Sequence, residues 1–206
     1  MLEVSNLEFS YDDGSPILKD ISFSISKGER VALLGPSGYG KSTLGKIIAG
    51  HMNPDKGTVL LNNQKLSKYK GYKPIQLIYQ HAEKALNNRW KIKDSLYEAW
   101  DIPVELLERM GINQSWLDRW PNELSGGQLQ RISVLRALSP KTQLLIADEI
   151  TASLDTITQA QLWNVVGDVL ETNNTSLLMI THNESLAKRI CSRIIQIESL
   201  CTCTCT

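Results

Sequence analysis

Residues 35–43 read GPSGYGKST, and the fold is decided by what surrounds them. Upstream, "RVALL" from residue 30 is a short continuous apolar run of the kind that forms a buried strand. Downstream, "KSTLGKIIAGH" places Leu44, Ile47 and Ile48 at helical spacing. A glycine-rich turn between a buried strand and a helix, closed by Lys41 and Ser42, fits G-x-x-x-x-G-K-[ST]. Gly35, Gly38 and Gly40 let the backbone wrap closely, so that successive N–H groups face phosphate oxygens. The helix N-terminus behind them adds its positive end. Lys41 is expected to reach the outer phosphates of a nucleotide and the Ser42 hydroxyl to bind Mg2+. Pro36, Ser37, Tyr39 and Thr43 complete the expected cradle.

Two further stretches supply matching chemistry. "QLLIADE", 143–149, reads as a buried strand that delivers Asp148 at its C-terminal end, where ligands sit in open α/β sheets. A carboxylate there can hold Mg2+ directly or through water. Glu149, next in the chain, suits a general base aimed at an attacking water; an acidic pair in this place also serves as simple helix capping. "ELSGGQLQR", 123–131, sets Ser125 three residues before Gln128, ahead of a periodic apolar run. That is a capping box, which accounts for both polar residues without a ligand. It leaves the pair Gly126 and Gly127 unexplained, since each weakens a helix start by about 1 kcal/mol relative to alanine. Bare N–H groups at a helix N-terminus suit a second phosphate contact.

Around these motifs the pattern alternates. Residues 2–9 and 20–25 read as half-buried strands, and "TVLLNNQ" as a strand ending in an Asn-Asn turn. "PIQLIYQ", "TSLLMIT" and "RIIQIE" add strands, while 126–138, 156–171 and 183–190 have helical spacing. Strands separated by helices imply a parallel sheet covered on both faces. From 81 to 123 the character changes to helical fragments among polar residues with Trp90, Trp100, Trp116 and Trp120. This reads as a small inserted helical subdomain. No internal repeat is present.

Composition removes several classes of function. The 22 basic and 22 acidic residues cancel, so no whole-chain field drives binding to nucleic acid or membrane. No apolar run reaches the ~18 residues that span a bilayer, and "MLEVSNLEFSYDD" is unlike a cationic, apolar secretion signal. A cytosolic chain is expected, with any membrane role carried by partner subunits. Of the four cysteines, Cys201, Cys203 and Cys205 lie in a terminal "CTCTCT". In a strand they would share one face and could hold a metal; otherwise the segment is an irregular tail.

Phosphate loop, "LSGGQ" and Asp-Glu, in that order around a helical insert, resemble the ATP-binding subunit of an ABC transporter, from Tyr11 to about residue 198. The resemblance implies an α/β fold: a P-loop NTPase core of ABC type, with an N-terminal antiparallel β portion and a helical subdomain inserted at about 81–138. It implies one ATP-binding domain over 1–198 and an irregular tail over 199–206. Two such domains join head to tail, as a homodimer or a heterodimer, with ATP and Mg2+ between the loop of one and the "LSGGQ" of the other. By the same resemblance Tyr11 stacks on adenine, and Gln80 senses Mg2+ and the membrane subunits. Asp155 of "SLD" communicates across the dimer, and His182 contacts the γ-phosphate and helps Glu149 hold the water. Lys41 and the partner's signature serine would stabilise phosphate charge.

"ALNNRW" after Gln80, and "DTITQAQLW" after the acidic pair, are similar to segments of importers for oligopeptides and nickel. Expected partners are integral membrane permeases, a second ATPase and an extracytoplasmic substrate-binding protein, with the chain on the cytoplasmic face and no nucleic acid bound. An ABC ATPase that acts as a non-transport regulator or as a membrane-tethered partner is the rival. Two departures stand out. Ile150 replaces the proline common after the glutamate, and the chain stops near its last strand. "CTCTCT" therefore reads as the end of a truncated or frameshifted product, which leaves an inactive subunit as a further reading. Tyr39 sits where small residues are usual. Either its ring points away from the phosphates and is merely tolerated, or it packs across the closed dimer.

Overall fold

The computed structural model describes residues 1–11, 14, 16–151 and 154–200. β1 (Leu2–Ser10) and β2 (Pro16–Ile25) alternate buried with exposed residues, as a sheet with one dry face requires, and pair antiparallel. β4 (Lys56–Leu61) takes the other edge of β1, and the two-residue β5 (Gln64–Lys65) folds back on β4. Between them Asn62 and Asn63 have φ of 50° and 61°, the positive pair demanded by a tight hairpin turn that follows the strand twist. The expected Asn-Asn turn is therefore present.

The second sheet has the order β6-β7-β8-β3-β9 and is parallel throughout. Its strands are β3 (Arg30–Leu34), β6 (Ile75–Ile78), β7 (Leu144–Asp148), β8 (Ser176–Ile180) and β9 (Arg193–Gln196). Successive residues on β7 and β8 enter different cores. Leu144, Ile146, Leu178 and Ile180 pack with α1 (Lys41–Ile48) and the dry face of the antiparallel sheet. Leu145, Ala147, Leu177 and Met179 pack with α4 (Gly126–Ala137) and α5 (Thr156–Thr172), and that core also takes in α2 (Ile92–Tyr97) and α3 (Val104–Arg109). The inserted helical segment lies between β6 and β7. On β3, Ala32 and Leu34 are covered by Ala187 of α6 (Glu184–Ile190).

Two elements depart from the sequence expectation. β2 begins at Pro16 rather than residue 20. "RIIQIE" stops as a strand at Gln196, and α7 (Ile197–Leu200) follows. The fully buried Ile197 leaves the strand line to fill the space beneath the phosphate loop, where its Cγ2 abuts the position a side chain on Gly35 would take. Ser199 and Leu200 thus end a helical turn instead of opening an irregular tail. Cys201, Cys203 and Cys205 lie outside the described residues. Burial pushes the Cys191 thiol up to about 12, so it stays protonated and unreactive. Among the described residues no helix is long and apolar enough to cross a membrane.

Parallel strands align their C-terminal ends on one edge. β3 leads there into the phosphate loop, β6 towards Gln80, β7 into Asp148–Glu149 and β8 towards His182. Leu178, fully buried at the centre of this sheet, tests the arrangement. Leu178→Ala should lower unfolding stability by ~2–5 kcal/mol, measured by urea denaturation with an unchanged slope.

Candidate active site

The loop from Gly35 to Gly40 owes its shape to two kinds of glycine requirement. At Gly40, the residue capping α1, φ is 79°, and an added Cβ would lie 2.5 Å from Ile17 Cγ2 and 2.9 Å from Leu18 Cδ2. Conformation and space both forbid a side chain there. At Gly38 φ is 89° but nothing lies within 4 Å, so only the left-handed backbone asks for glycine. Lys41, almost fully buried, donates from Nζ to the carbonyls of Gly35 and Pro36, each at 2.7 Å. An ammonium has three donors, so two loop carbonyls do not exhaust it.

The loop forms one wall of a cleft of about 400 Å³. Ser37, Gly38, Gly40, Lys41, Ser42 and Thr43 line that wall, Tyr11 and Ile17 a second, and Gln80 and Glu149 the far end. Tyr11 is held in place by its hydroxyl, 3.0 Å from Thr43 Oγ1, and by an edge-on contact with Phe9 at 5.1 Å. Its ring remains 43% exposed, which leaves a face for a flat ligand. Tyr39, 49% exposed, lies outside the cleft lining.

At the far end two of the sequence-predicted groups meet on a third. The Glu149 carboxylate accepts from Gln80 Nε2 at 3.2 Å through one oxygen and lies 2.9 Å from His182 Nδ1 through the other. Glu149 itself has φ of 50°, a left-handed conformation costing about 1–2 kcal/mol for a residue with a Cβ. Its N–H donates to the Ile180 carbonyl of β8 at 3.0 Å. Backbone strain of this kind persists where surrounding structure over-determines it, often at a functional site.

Asp148 sits behind this group. Burial pushes its carboxyl above the ordinary value, opposed by a hydrogen bond from Ser42, while the charge of Glu149 raises it further. A divalent cation between Ser42 and Asp148 would relieve both unfavourable effects. Among the described residues no three His, Cys, Asp or Glu side chains cluster as metal ligands. A cation here would complete its oxygen shell from hydroxyl, amide, phosphate and water, as Mg2+ does. The donor set fits that ion.

The remaining predicted residues do not join the cleft. Ser125 and Gln128 form the expected capping box on α4, with Gln128 N–H donating to Ser125 Oγ at 3.3 Å and Ser125 N–H to Gln128 Oε1 at 2.9 Å. Gly126 is exposed and an added Cβ there meets nothing within 4 Å; at Gly127 it would stand 3.1 Å from Leu154 Cδ2. Packing within the chain does not require Gly126. Asp155 caps α5, accepting from Ile157 and Thr158 N–H at 3.1 and 3.0 Å, which holds its carboxyl below the ordinary range. Ile17 is the residue that sequence reading missed. Its signal is its place beside Leu18 at the start of β2, where Leu18 pairs with Phe9 of β1.

Residues 18–152 match the ABC transporter family. The chain belongs to that family. This ABC chain is an ATP-binding subunit and an ATPase. It is 34% identical to the oligopeptide transport ATP-binding protein OppF of Streptococcus mutans serotype c, over 94% of its own length and 70% of that protein's. It is 33% identical to the nickel import system ATP-binding protein NikE of Staphylococcus aureus, over 96% and 87%. Among solved structures, the ATP-binding cassette MJ0796, a dimer in a post-hydrolysis state bound to ADP and Pi, superposes with a TM-score of 0.83 at 25% identity, covering 95% and 94% of the two chains. CbiO1 of Clostridium perfringens, at 24% identity and a TM-score of 0.75, shares the fold.

The two glycines of the ABC phosphate loop separate space from conformation. Gly38→Ala should weaken ATP binding by about 1–2 kcal/mol, a factor of roughly 5–30. Gly40→Ala should weaken it well beyond that, because Ile17 and Leu18 must also move. Equilibrium titration with ATP measures both.

Proposed function

We propose that this chain hydrolyses ATP by in-line attack of water and thereby powers an ABC importer for peptides, nickel or metal–chelator complexes. The observation that carries the reading is the Glu149 carboxylate, held between Gln80 and His182 at the end of a cleft walled by the phosphate loop. Glu149 accepts the proton of the attacking water, and His182 and Gln80 fix the carboxylate that does so. Lys41 and the N–H groups of the loop take up the charge that grows on the γ-phosphate. Ser42, Asp148 and Gln80 would hold Mg2+, which supplies electrostatic stabilisation of the transferred phosphoryl group. Tyr11 and Ile17, which line the same cleft, receive the adenine.

The signature residues Ser125 to Gln128 stand outside the cleft, and Gly126 is open to solvent. This supports a head-to-tail dimer in which the N–H groups of one chain's Gly126 and Gly127 meet the nucleotide on the other, with Asp155 at the junction between them. Likeness to a dimeric cassette supports the same assembly. ATP draws the pair together and hydrolysis lets it part, a shift in population driven by ligand. The helical segment after Gln80 exposes Trp90, Tyr97 and Trp120, amphipathic anchors suited to permease subunits. The chain then works at the cytoplasmic face of the membrane, and a substrate-binding protein outside delivers the cargo. Similarity to OppF and NikE supports peptides and nickel among these cargoes.

Glu149→Gln should slow turnover by ~10²–10⁴-fold while ATP binding persists. The same variant, tagged, loaded with Mg-ATP and recovered from native membranes, should carry permease subunits and a second ATPase in mass spectrometry. Recovery with soluble proteins alone would overturn the importer reading in favour of a regulator that does not transport. For Tyr39, the exposed ring is proposed to add contact area across the closed dimer. Tyr39→Ser in the Glu149→Gln background should then shift ATP-driven dimerisation to higher protein concentration in sedimentation, and an unchanged dimer would sink the idea.

A further inference from the structure

α1 has the phosphate loop at one end and a locked turn at the other. Gly50, with φ of 75°, ends it: Gly50 N–H donates to Ile47 O and His51 N–H to Lys46 O, both at 2.9 Å. This paired pattern fixes the residue after the glycine rigidly to the last helical turn. That residue, His51, places Nδ1 2.7 Å from the hydroxyl of Tyr79, and the two rings lie near-parallel with centroids 6.0 Å apart. Burial, and then the charge of Lys46, hold the imidazole below its ordinary value. A neutral ring with Nδ1 as acceptor matches a phenol donor. Tyr79 is the residue immediately before Gln80, and Gln80 is the donor to Glu149.

We infer that the His51–Tyr79 hydrogen bond is a strap that holds the base of the Gln80 segment to the phosphate-loop helix, and so positions the Gln80 amide on Glu149. The inference rests on the proposed role of Gln80 and Glu149. Neither His51 nor Tyr79 lines the cleft; both are positioning residues. One end of α1 thereby answers to phosphate while the other steadies the group that steadies the base. Without the strap, nucleotide still binds, but Gln80 wanders from its carboxylate and the base is aimed less often.

Tyr79→Phe keeps the ring and removes the donor. In the full chain it should lower kcat about three- to tenfold with KM for ATP unchanged. His51→Leu should do the same, and the double variant should be no worse than either single. His51→Gln, which offers an amide oxygen to the phenol, should recover most of the rate. A Tyr79→Phe kcat within twofold of the parent, equal losses in kcat and KM, or additive single effects would each overturn the strap. Gln80→Ala separates this failure from failure of the underlying reading. If Gln80→Ala slows turnover and Tyr79→Phe does not, only the strap is wrong; if Gln80→Ala leaves turnover intact, the role of Gln80 is wrong as well. Where turnover is too slow to measure, hydrogen exchange decides. Tyr79→Phe should speed exchange over residues 79–86 several-fold while α1 stays protected, and unchanged exchange in that segment overturns the strap.

Discussion

Leu144–Asp148 and Ser176–Ile180 are buried residue after residue on both faces, and the rest of the molecule is arranged around that burial. A strand covered on both sides offers a ligand nothing along its length, only its end. Because the central sheet is parallel throughout, those ends coincide on one edge. The loop after β3, the acidic pair after β7, Gln80 beyond β6 and His182 beyond β8 become neighbours although 147 positions separate Gly35 from His182 in the chain. Hydrophobic burial thus sets which polar groups meet, without itself contributing an atom to the chemistry.

The site so assembled is rigid in parts and soft in others. Asp148 is fixed in the sheet and carries the electrostatic burden of burial. Glu149 is held in an unfavourable backbone geometry by the carbonyl of Ile180, yet its two side-chain companions come from loops. His182 is 63% exposed, against 17% for the Glu149 side chain. The carboxylate is therefore constrained from within and only lightly from without, an arrangement that a ligand or a second chain can tighten.

The sequence made most of this readable for physical reasons that differ by element. The phosphate loop and the capping box at Ser125 carry local geometry in residue type, so their structures follow from the letters. β7 and β8 are legible because a short continuous apolar run, charged at most at its end, reads as a strand buried on both faces. Other features depended on distant contacts. Ile197 continues an apolar alternation that reads as strand, but in the structure it opens α7 and packs, fully buried, against Gly35. Ile17 has no motif, and only the fold sets it under Gly40. Asp155 shows local capping that its resemblance alone would not have named. The short helices between 81 and 123 are legible only in outline, since their packing against α4 sets where each begins.

Ile197 also makes the last described helix part of the floor under the phosphate loop. Whatever chain follows Leu200 is joined, within one helical turn, to a side chain touching Gly35. Helix α7 is thus in contact with the loop itself, and its packing bears on the nucleotide cradle more directly than its position in the chain suggests.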